Sequence, residues 1–316
     1  MSYRAGKSHH TNKESIKSTR NMKIINPTFE IWTQQPGEDG IYLQIERAGR
    51  VCYKSEKNQT IHSARPFCQR MIDNQHYAML EHGTVYLQFA ADSASANWYA
   101  SNRFSHTHMA ENTAYVTTNL RVLAENQRME DLQFRVEPTL HHERRITVHF
   151  TTQIAITREF NRHRVDSIAE QSTRYCNYSK DKFGNEIAIN LPTWVRDEGL
   201  AEAPTPDIDF MKLCQRINSG EATVLENWMF GNMAAERAYL NLIALGKKPQ
   251  EARVVLPLDT NTELIHTAFA SDWLHFFDLR ALDKTGPAHP DAKAIALPLY
   301  KMMLEEHLIT PPTEAK

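Results

Sequence analysis

Between residues 158 and 178 the chain reads REFNRHRVDSIAEQSTRYCNY, which sets Arg158, Arg162, His163, Arg164 and Arg174 among Glu159, Asp166 and Glu170. Arginines grouped this closely can grip a phosphate or carboxylate through forked, charge-assisted hydrogen bonds. Read as helix, the four-residue step from Arg158 to Arg162 points both guanidinium groups the same way. Ser167 and Glu170 have the S-x-x-E spacing of a capping box, which predicts a new helical turn near Ile168. The amides of residues 169–172 would then face outward beside Arg162 and Arg174. Helix-start amides together with guanidinium groups suit a phosphate dianion, and each such bond contributes about 1.5–3 kcal/mol. The competing reading is an exposed helix face laced with ion pairs, which needs no ligand.

These residues need a scaffold, and the clearest strand precedes them directly. Within residues 141–156, Ile146, Val148, Phe150, Ile154 and Ile156 fall on one face at period two, with Thr147, His149, Thr151 and Gln153 on the other. Upstream, residues 41–54 and 66–80 have helical spacing, and residues 84–89 (TVYLQF) alternate like a strand after Glu81-His82-Gly83. Residues 97–119 show no clear period. Downstream, residues 221–245 form a helix stopped by Gly246 and Pro249, with further helices over 267–282 and 292–308. Residues 180–215 read as a long loop or insertion, punctuated by Gly184, Pro192, Pro204 and Pro206. Residues 1–22 are polar and without period, a mobile extension ahead of one large domain over 23–316. Strands are grouped away from runs of helices, so an α+β fold with an antiparallel or mixed sheet flanked by helices is expected.

Composition narrows the function classes. Lys plus Arg number 36 against 38 Asp plus Glu, so no global field draws the chain to nucleic acid or a membrane. A nucleic-acid-binding protein using the Arg158–Arg174 cluster is the alternative, but the interleaved carboxylates spoil a backbone-binding patch. No apolar run approaches the roughly 18 to 20 residues that cross a bilayer. Cys52, Cys68, Cys176 and Cys214 lack C-x-x-C spacing and read as free thiols in the cytoplasm. Neither His106-x-His108 nor His141-His142 completes a ligand set, so no metal is expected.

The order of residue types in the arginine cluster is specific. Arg162-His163-Arg164, seven intervening residues and Ser172 form the R-H-R-x7-S pattern, and the chain resembles the flavin-dependent thymidylate synthases there. Ser167, Glu170, Arg174 and Tyr175 also sit where the longer family pattern has them. The likeness extends to Glu81-His82-x-Thr84, to the strand feeding the cluster, to Glu251-Ala252-Arg253-x-x-Leu256-Pro257 and to the helix ending His275-Phe276-Phe277-Asp278-Leu279-Arg280. Without that context His82 would read as a structural histidine.

The resemblance implies reductive methylation of dUMP to dTMP. It implies FAD as cofactor, NADPH and methylenetetrahydrofolate as co-substrates, and a homotetramer with shared sites. It also implies roles for residues. Arg162, Gln171, Ser172, Thr173, Arg174 and Arg253 would hold dUMP, with Glu159 and Glu170 nearby. Arg280 would face the uracil ring as the catalytic residue. His82, Thr84, Arg162, His163, Arg164, Glu170, Phe269, Ala270, Ser271 and His275 would line the FAD site. Ser172 has no base beside it in sequence, so hydrogen bonding suits it better than nucleophilic attack. The chain departs from the commonest pattern at Ala169, Glu159, Phe269 and His275.

Overall fold

The computed structural model describes residues 23–200 and 209–311. The expected N-terminal extension lies outside them. The strands are β1 (Lys23–Ile25), β2 (Thr28–Trp32), β3 (Thr84–Ala90), β4 (His106–Ala110), β5 (Thr113–Asn119), β6 (Arg145–Gln153), β7 (Ser167–Glu170), β8 (Ala188–Asn190) and β9 (Asn261–Phe269). They form an antiparallel sheet in the order β2-β6-β9-β7, a second antiparallel sheet β3-β5-β4, and a parallel pair of β1 with β8. Helices flank these sheets, so the fold is α+β as the sequence suggests.

The alternation of β6 decides how the larger sheet is covered. Ile146, Val148 and Phe150 face one way with Leu264 and Ala268 of β9, and pack on Phe160, Trp273, Phe276, Phe277 and Leu299. Those residues come from the helices Ile154–Phe160, Ala270–Arg280 and Pro290–Glu305. The more polar face is covered too. The helix Gly37–Tyr53 lays Ala48, Val51 and Cys52 against Trp32, Ala169 and Ile265. Its Ile41, Tyr42 and Ile45 join the core under the three-stranded sheet. One helix is thus shared between two sheets.

Gly83, where the helix crosses the start of β3, tolerates no side chain. A Cβ there would lie 2.5 Å from Ile45 Cδ1 and 2.8 Å from Ile41 Cγ2, and Ile45 is fully buried and unable to give way. Gly83→Ala is therefore expected to cost about 1–3 kcal/mol in urea denaturation, the usual penalty of overpacking.

Several expectations need correction. The strand ends at Gln153, and Ile154 and Ile156 begin a helix instead, because the backbone turns at Gln153 and their amide ladder leaves β9. That helix stops at Phe160, so Arg162 lies beyond it and does not share a helical face with Arg158. The predicted capped turn at Ser167 is strand β7, paired to β9 from Ser167↔Thr267 to Glu170↔Leu264. The Ser167 hydroxyl accepts from the Arg145 guanidinium at 3.0 Å. The Glu170 carboxylate accepts from Thr157 Oγ1 at 2.8 Å and Asn161 Nδ2 at 3.2 Å. With both side chains engaged elsewhere, no cup of helix-start amides forms.

The helix expected over 66–80 is Ala64–Asp73 followed by the 3₁₀ turn Tyr77–His82. The stretch 97–119, which has no legible period, holds the end of the helix Ala94–Ser101 and the hairpin β4-β5. Residues 267–269 close β9 rather than start a helix. Residues 180–200 and 209–215 are not one loop. Strand β8, the helix Thr193–Asp197 and the start of the helix Phe210–Ser219 lie there. Ile187, Ile189, Leu191, Val195 and Leu213 share a separate apolar core with Trp228, Met233 and Tyr239 of the helix Val224–Ala244.

Candidate active site

The segment from Gln171 to Thr173 leaves β7 and is pinned by backbone bonds from two directions. The Gln171 amide donates to the carbonyl of Glu263 at 2.8 Å, and the Ser172 amide to the carbonyl of Cys52 at 2.9 Å. The loop then closes on itself, Cys176 N donating to Ser172 O at 2.9 Å. Arg253 Nη1 reaches Thr173 Oγ1 at 3.2 Å, and Arg174 Nε reaches Gln250 Oε1 at 3.3 Å. Between these pieces opens a cleft of about 650 Å³ lined by Arg158, Glu170, Gln171, Ser172, Thr173 and Arg253. The exposed guanidinium groups of Arg158 and Arg253 give it cations for an anionic ligand.

A thiol nucleophile has no place beneath this loop. Cys52 and Cys176 are buried there, and burial pushes the Cys52 thiol up to about 12. A thiol so raised is neutral and a poor nucleophile at any working pH.

A second cleft of about 790 Å³ opens at the other end of β7, and Arg103, Arg121, Arg145, Arg164 and Phe269 are among its walls. Arg121 is neutralised by Glu81 and Glu125. Arg145 donates to the Glu81 carbonyl at 2.9 Å and to Ser167 Oγ at 3.0 Å, and its buried Nε has no partner among the described residues. Burial pushes its guanidinium down to about 10, which still leaves it charged at neutral pH. Phe269 closes the cleft with its ring stacked on His106, centroids 3.7 Å apart.

Arg280 ends the helix Ala270–Arg280 and meets the R-H-R turn. Its Nη1 bonds Glu159 Oε2 at 2.6 Å, its Nη2 the Glu159 carbonyl at 2.7 Å, and its Nε lies 3.3 Å from His163 Nε2. Burial first, then the neighbouring His266, push His163 down to about 4, so the ring is neutral and can accept that hydrogen bond. His275 sits edge-on to His163. Behind the turn, Asp166 pairs with His266 at 2.6 Å with both side chains buried, which ties the R-H-R segment to β9.

The structure therefore groups the expected residues unevenly. Glu170, Gln171, Ser172, Thr173 and Arg253 share one cleft, while Arg162 and Arg174 lie exposed nearby without a carboxylate partner among the described residues. Arg164 and Phe269 share the other cleft, while Glu170 does not reach it. Ala270 and Ser271 open onto a separate groove with Arg144, because the Ser271 amide is drawn to Glu143 at 3.0 Å. Thr84 lines a further cleft on the far side of Arg145. His82 lines none of them: it is fully buried, with Nδ1 2.9 Å from Thr267 Oγ1 and Nε2 unpartnered. Burial, then Arg145 and His266, push it down to about 3. Sequence reading missed Arg145 and the Asp166–His266 pair, whose partners are distant along the chain. For Arg145 the one local signal is a charge opening an apolar strand.

Comparison with known proteins bears on these clefts. The flavin-dependent thymidylate synthase of Kosmotoga olearia is 29% identical over 133 residues, covering 42% of this chain and 52% of that protein. The enzyme of the same name from Thermosipho africanus is 28% identical over 136 residues, covering 43% and 54%. The chain spans about half the length of these curated relatives. Among solved structures, the UMP/dUMP methylase PolB from Streptomyces cacaoi bound with 5-Br dUMP aligns over 90% of this chain and 93% of its own, with 17% identity and a TM-score of 0.39. The segment Glu81-His82-x-Thr84 falls outside the family-matched stretch, as do Arg103 and Arg121, whereas Arg145, the Arg158–Arg174 cluster, Arg253 and Arg280 fall inside it. That stretch, residues 137–307, is more than half of the chain, and by it the chain belongs to the thymidylate synthase complementing protein family.

Proposed function

We propose that this chain methylates dUMP to dTMP, with FAD reduced by NADPH as the hydride source and methylenetetrahydrofolate as the carbon donor. One observation carries the reading: the R-H-R-x7-S segment lies within the family-matched stretch and lines both clefts, Arg164 in the larger and Ser172 in the smaller. The smaller cleft suits a nucleotide monophosphate, whose dianion Arg158 and Arg253 would neutralise while Gln171, Ser172 and Thr173 bond the phosphate and sugar. The larger cleft suits a phosphate-bearing cofactor, since pairing of Arg121 with Glu81 and Glu125 and of Asp166 with His266 leaves Arg103, Arg145 and Arg164 there against Asp272, and the Arg145 Nε has no partner among the described residues. Arg164 and Arg145 would hold FAD there, with Phe269 and His163 as neighbours. When bound and reduced, FAD supplies the hydride.

The chain's own work is binding and polarisation. A guanidinium at Arg280 facing the uracil ring favours the anion at N3 and raises electron density at C5, the carbon that gains the methyl group. Neutral His163 holds that guanidinium in plane without adding a competing charge. The assembly belongs to the same proposal: a homotetramer in which other copies complete the clefts. Val165, Val254 and Leu258, exposed to 68%, 79% and 54%, stand beside the clefts and support that completion. Among the described residues no helix is long and apolar enough to cross a membrane.

Anaerobic absorption spectra test the reading. Flavin bands should bleach on NADPH addition, respond to dUMP, and accompany dTMP formation once methylenetetrahydrofolate is added. A colourless protein that takes up no FAD and ignores dUMP would overturn it. Ser172→Ala should keep turnover while the KM for dUMP rises about five-fold, the worth of one neutral hydrogen bond. Complete loss of turnover with dUMP binding intact would instead make Ser172 a nucleophile.

A further inference from the structure

Three of the five N–H donors of the Arg280 guanidinium are taken inside the chain. Nη1 is held by the Glu159 carboxylate at 2.6 Å, Nη2 by the Glu159 carbonyl at 2.7 Å, and Nε by neutral His163 at 3.3 Å. One N–H on each Nη remains open, but the charge it would present to a ring is already countered by the Glu159 carboxylate. The three partners are not equal. The carbonyl belongs to the helix Ile154–Phe160 and the imidazole is buried, so both are fixed. The Glu159 carboxylate is the open one, its side chain 43% exposed against 14% for Arg280. It can swing into water at small cost, because exposed ion pairs contribute little. Removing it uncovers that charge and one Nη1 donor, and leaves the guanidinium oriented by the other two bonds.

We infer that Glu159 is an internal counter-ion that masks Arg280 until a ligand ring displaces it. The inference rests on the dUMP reading for the identity of that ring, but the masking itself does not. A pyrimidine bearing an acidic N–H beside a carbonyl can offer Nη1 the partner that Glu159 withdraws. A ligand lacking that edge leaves the ion pair closed and the guanidinium neutralised. Glu159 thereby acts as a positioning and specificity residue, biasing the site by a few-fold toward a ring matched to Arg280.

The test is phenylglyoxal modification of the intact protein, followed residue by residue through peptide mapping. In Glu159→Gln, Arg280 should react about five-fold faster than in the wild type, the scale of a lost, partly exposed ion pair. Exposed Arg70, on a different helix, should react at an unchanged rate and certify the fold. Added dUMP should slow modification of Arg280 in both proteins. Glu159→Gln should also bind dUMP about five-fold more tightly, and that gain should vanish in an Arg280→Ala background. Equal Arg280 reactivity in wild type and Glu159→Gln, or weaker dUMP binding by the variant, would overturn the masking. Faster modification in the variant without any dUMP protection would leave the mask standing and overturn the substrate reading instead.

Discussion

Arg280→Ala is expected to lower the kcat for dTMP formation by about 10²–10³, the usual loss when a group stabilising developing charge is removed. The KM for dUMP should move far less, because the phosphate contacts of the smaller cleft are left in place. Arg280→Lys should recover little. A lysine can supply charge but not the planar fork that meets a carboxylate, a carbonyl and an imidazole together. The control is flavin reduction by NADPH, which does not use the uracil ring and should continue in both variants. Folding should barely register the change: the lost pair is partly exposed, and the helix carrying Arg280 is anchored by buried Trp273, Phe276 and Phe277. If kcat holds and only KM rises, Arg280 is a binding group and not a catalytic one.

Acid should unfold the protein through its buried histidines. An unfolded histidine titrates near 6.5, whereas in the fold burial holds His82 down at about 3 and His163 at about 4. Below about pH 6.5 the unfolded chain binds protons that the folded chain refuses. The stability these histidines contribute is therefore complete above that pH and drains away as pH falls. Between pH 7 and 5 each loses about 2 kcal/mol, or about 4 kcal/mol together, a large part of a typical stability of about 5–15 kcal/mol. His142, also held down by burial, adds in the same direction. Urea denaturation at the two pH values measures the loss, and His82→Gln should remove about half of it. A stability flat across this window would mean that water or an altered partner charges His82 without cost.

Strand β6 was legible because period-two burial is a local property, and Ile146, Val148 and Phe150 announce it. The same spacing rule that failed at Ser167–Glu170 succeeds elsewhere. Thr223 and Glu226 form a true capping box, each side chain bonding the other's backbone amide, at the head of the helix Val224–Ala244. The spacing is equal at the two sites, so what differs lies outside it. After Thr223 come residues that propagate a long helix, whereas Ser167 lies beside an open edge of β9 that takes its backbone into a sheet. No count along the chain reveals a free strand edge that is completed a hundred residues later.

The site divides in the same way. Arg162-His163-Arg164 and Ser172 are neighbours in sequence and could be read as one motif. Arg145, Asp166 with His266, and Glu159 with Arg280 act through partners 22 to 121 residues apart. The burial of His82 is of the same kind, since the Thr267 hydroxyl that meets it lies 185 residues away.

Strand β9 holds the Gln171 amide through the Glu263 carbonyl near one end and presents Phe269 to the larger cleft at the other. Six residues of extended chain separate these points by about 20 Å, and β6 and β7 clamp the strand on both edges. It is in effect a fixed ruler between the two pockets. A strand held this way opens only when both neighbours release it, so its amides exchange with solvent as one cooperative block. Occupation of either pocket is expected to restrain that block, so that slowed amide exchange at Phe269 on filling the larger cleft should extend to Glu263, a communication between sites that requires no moving part.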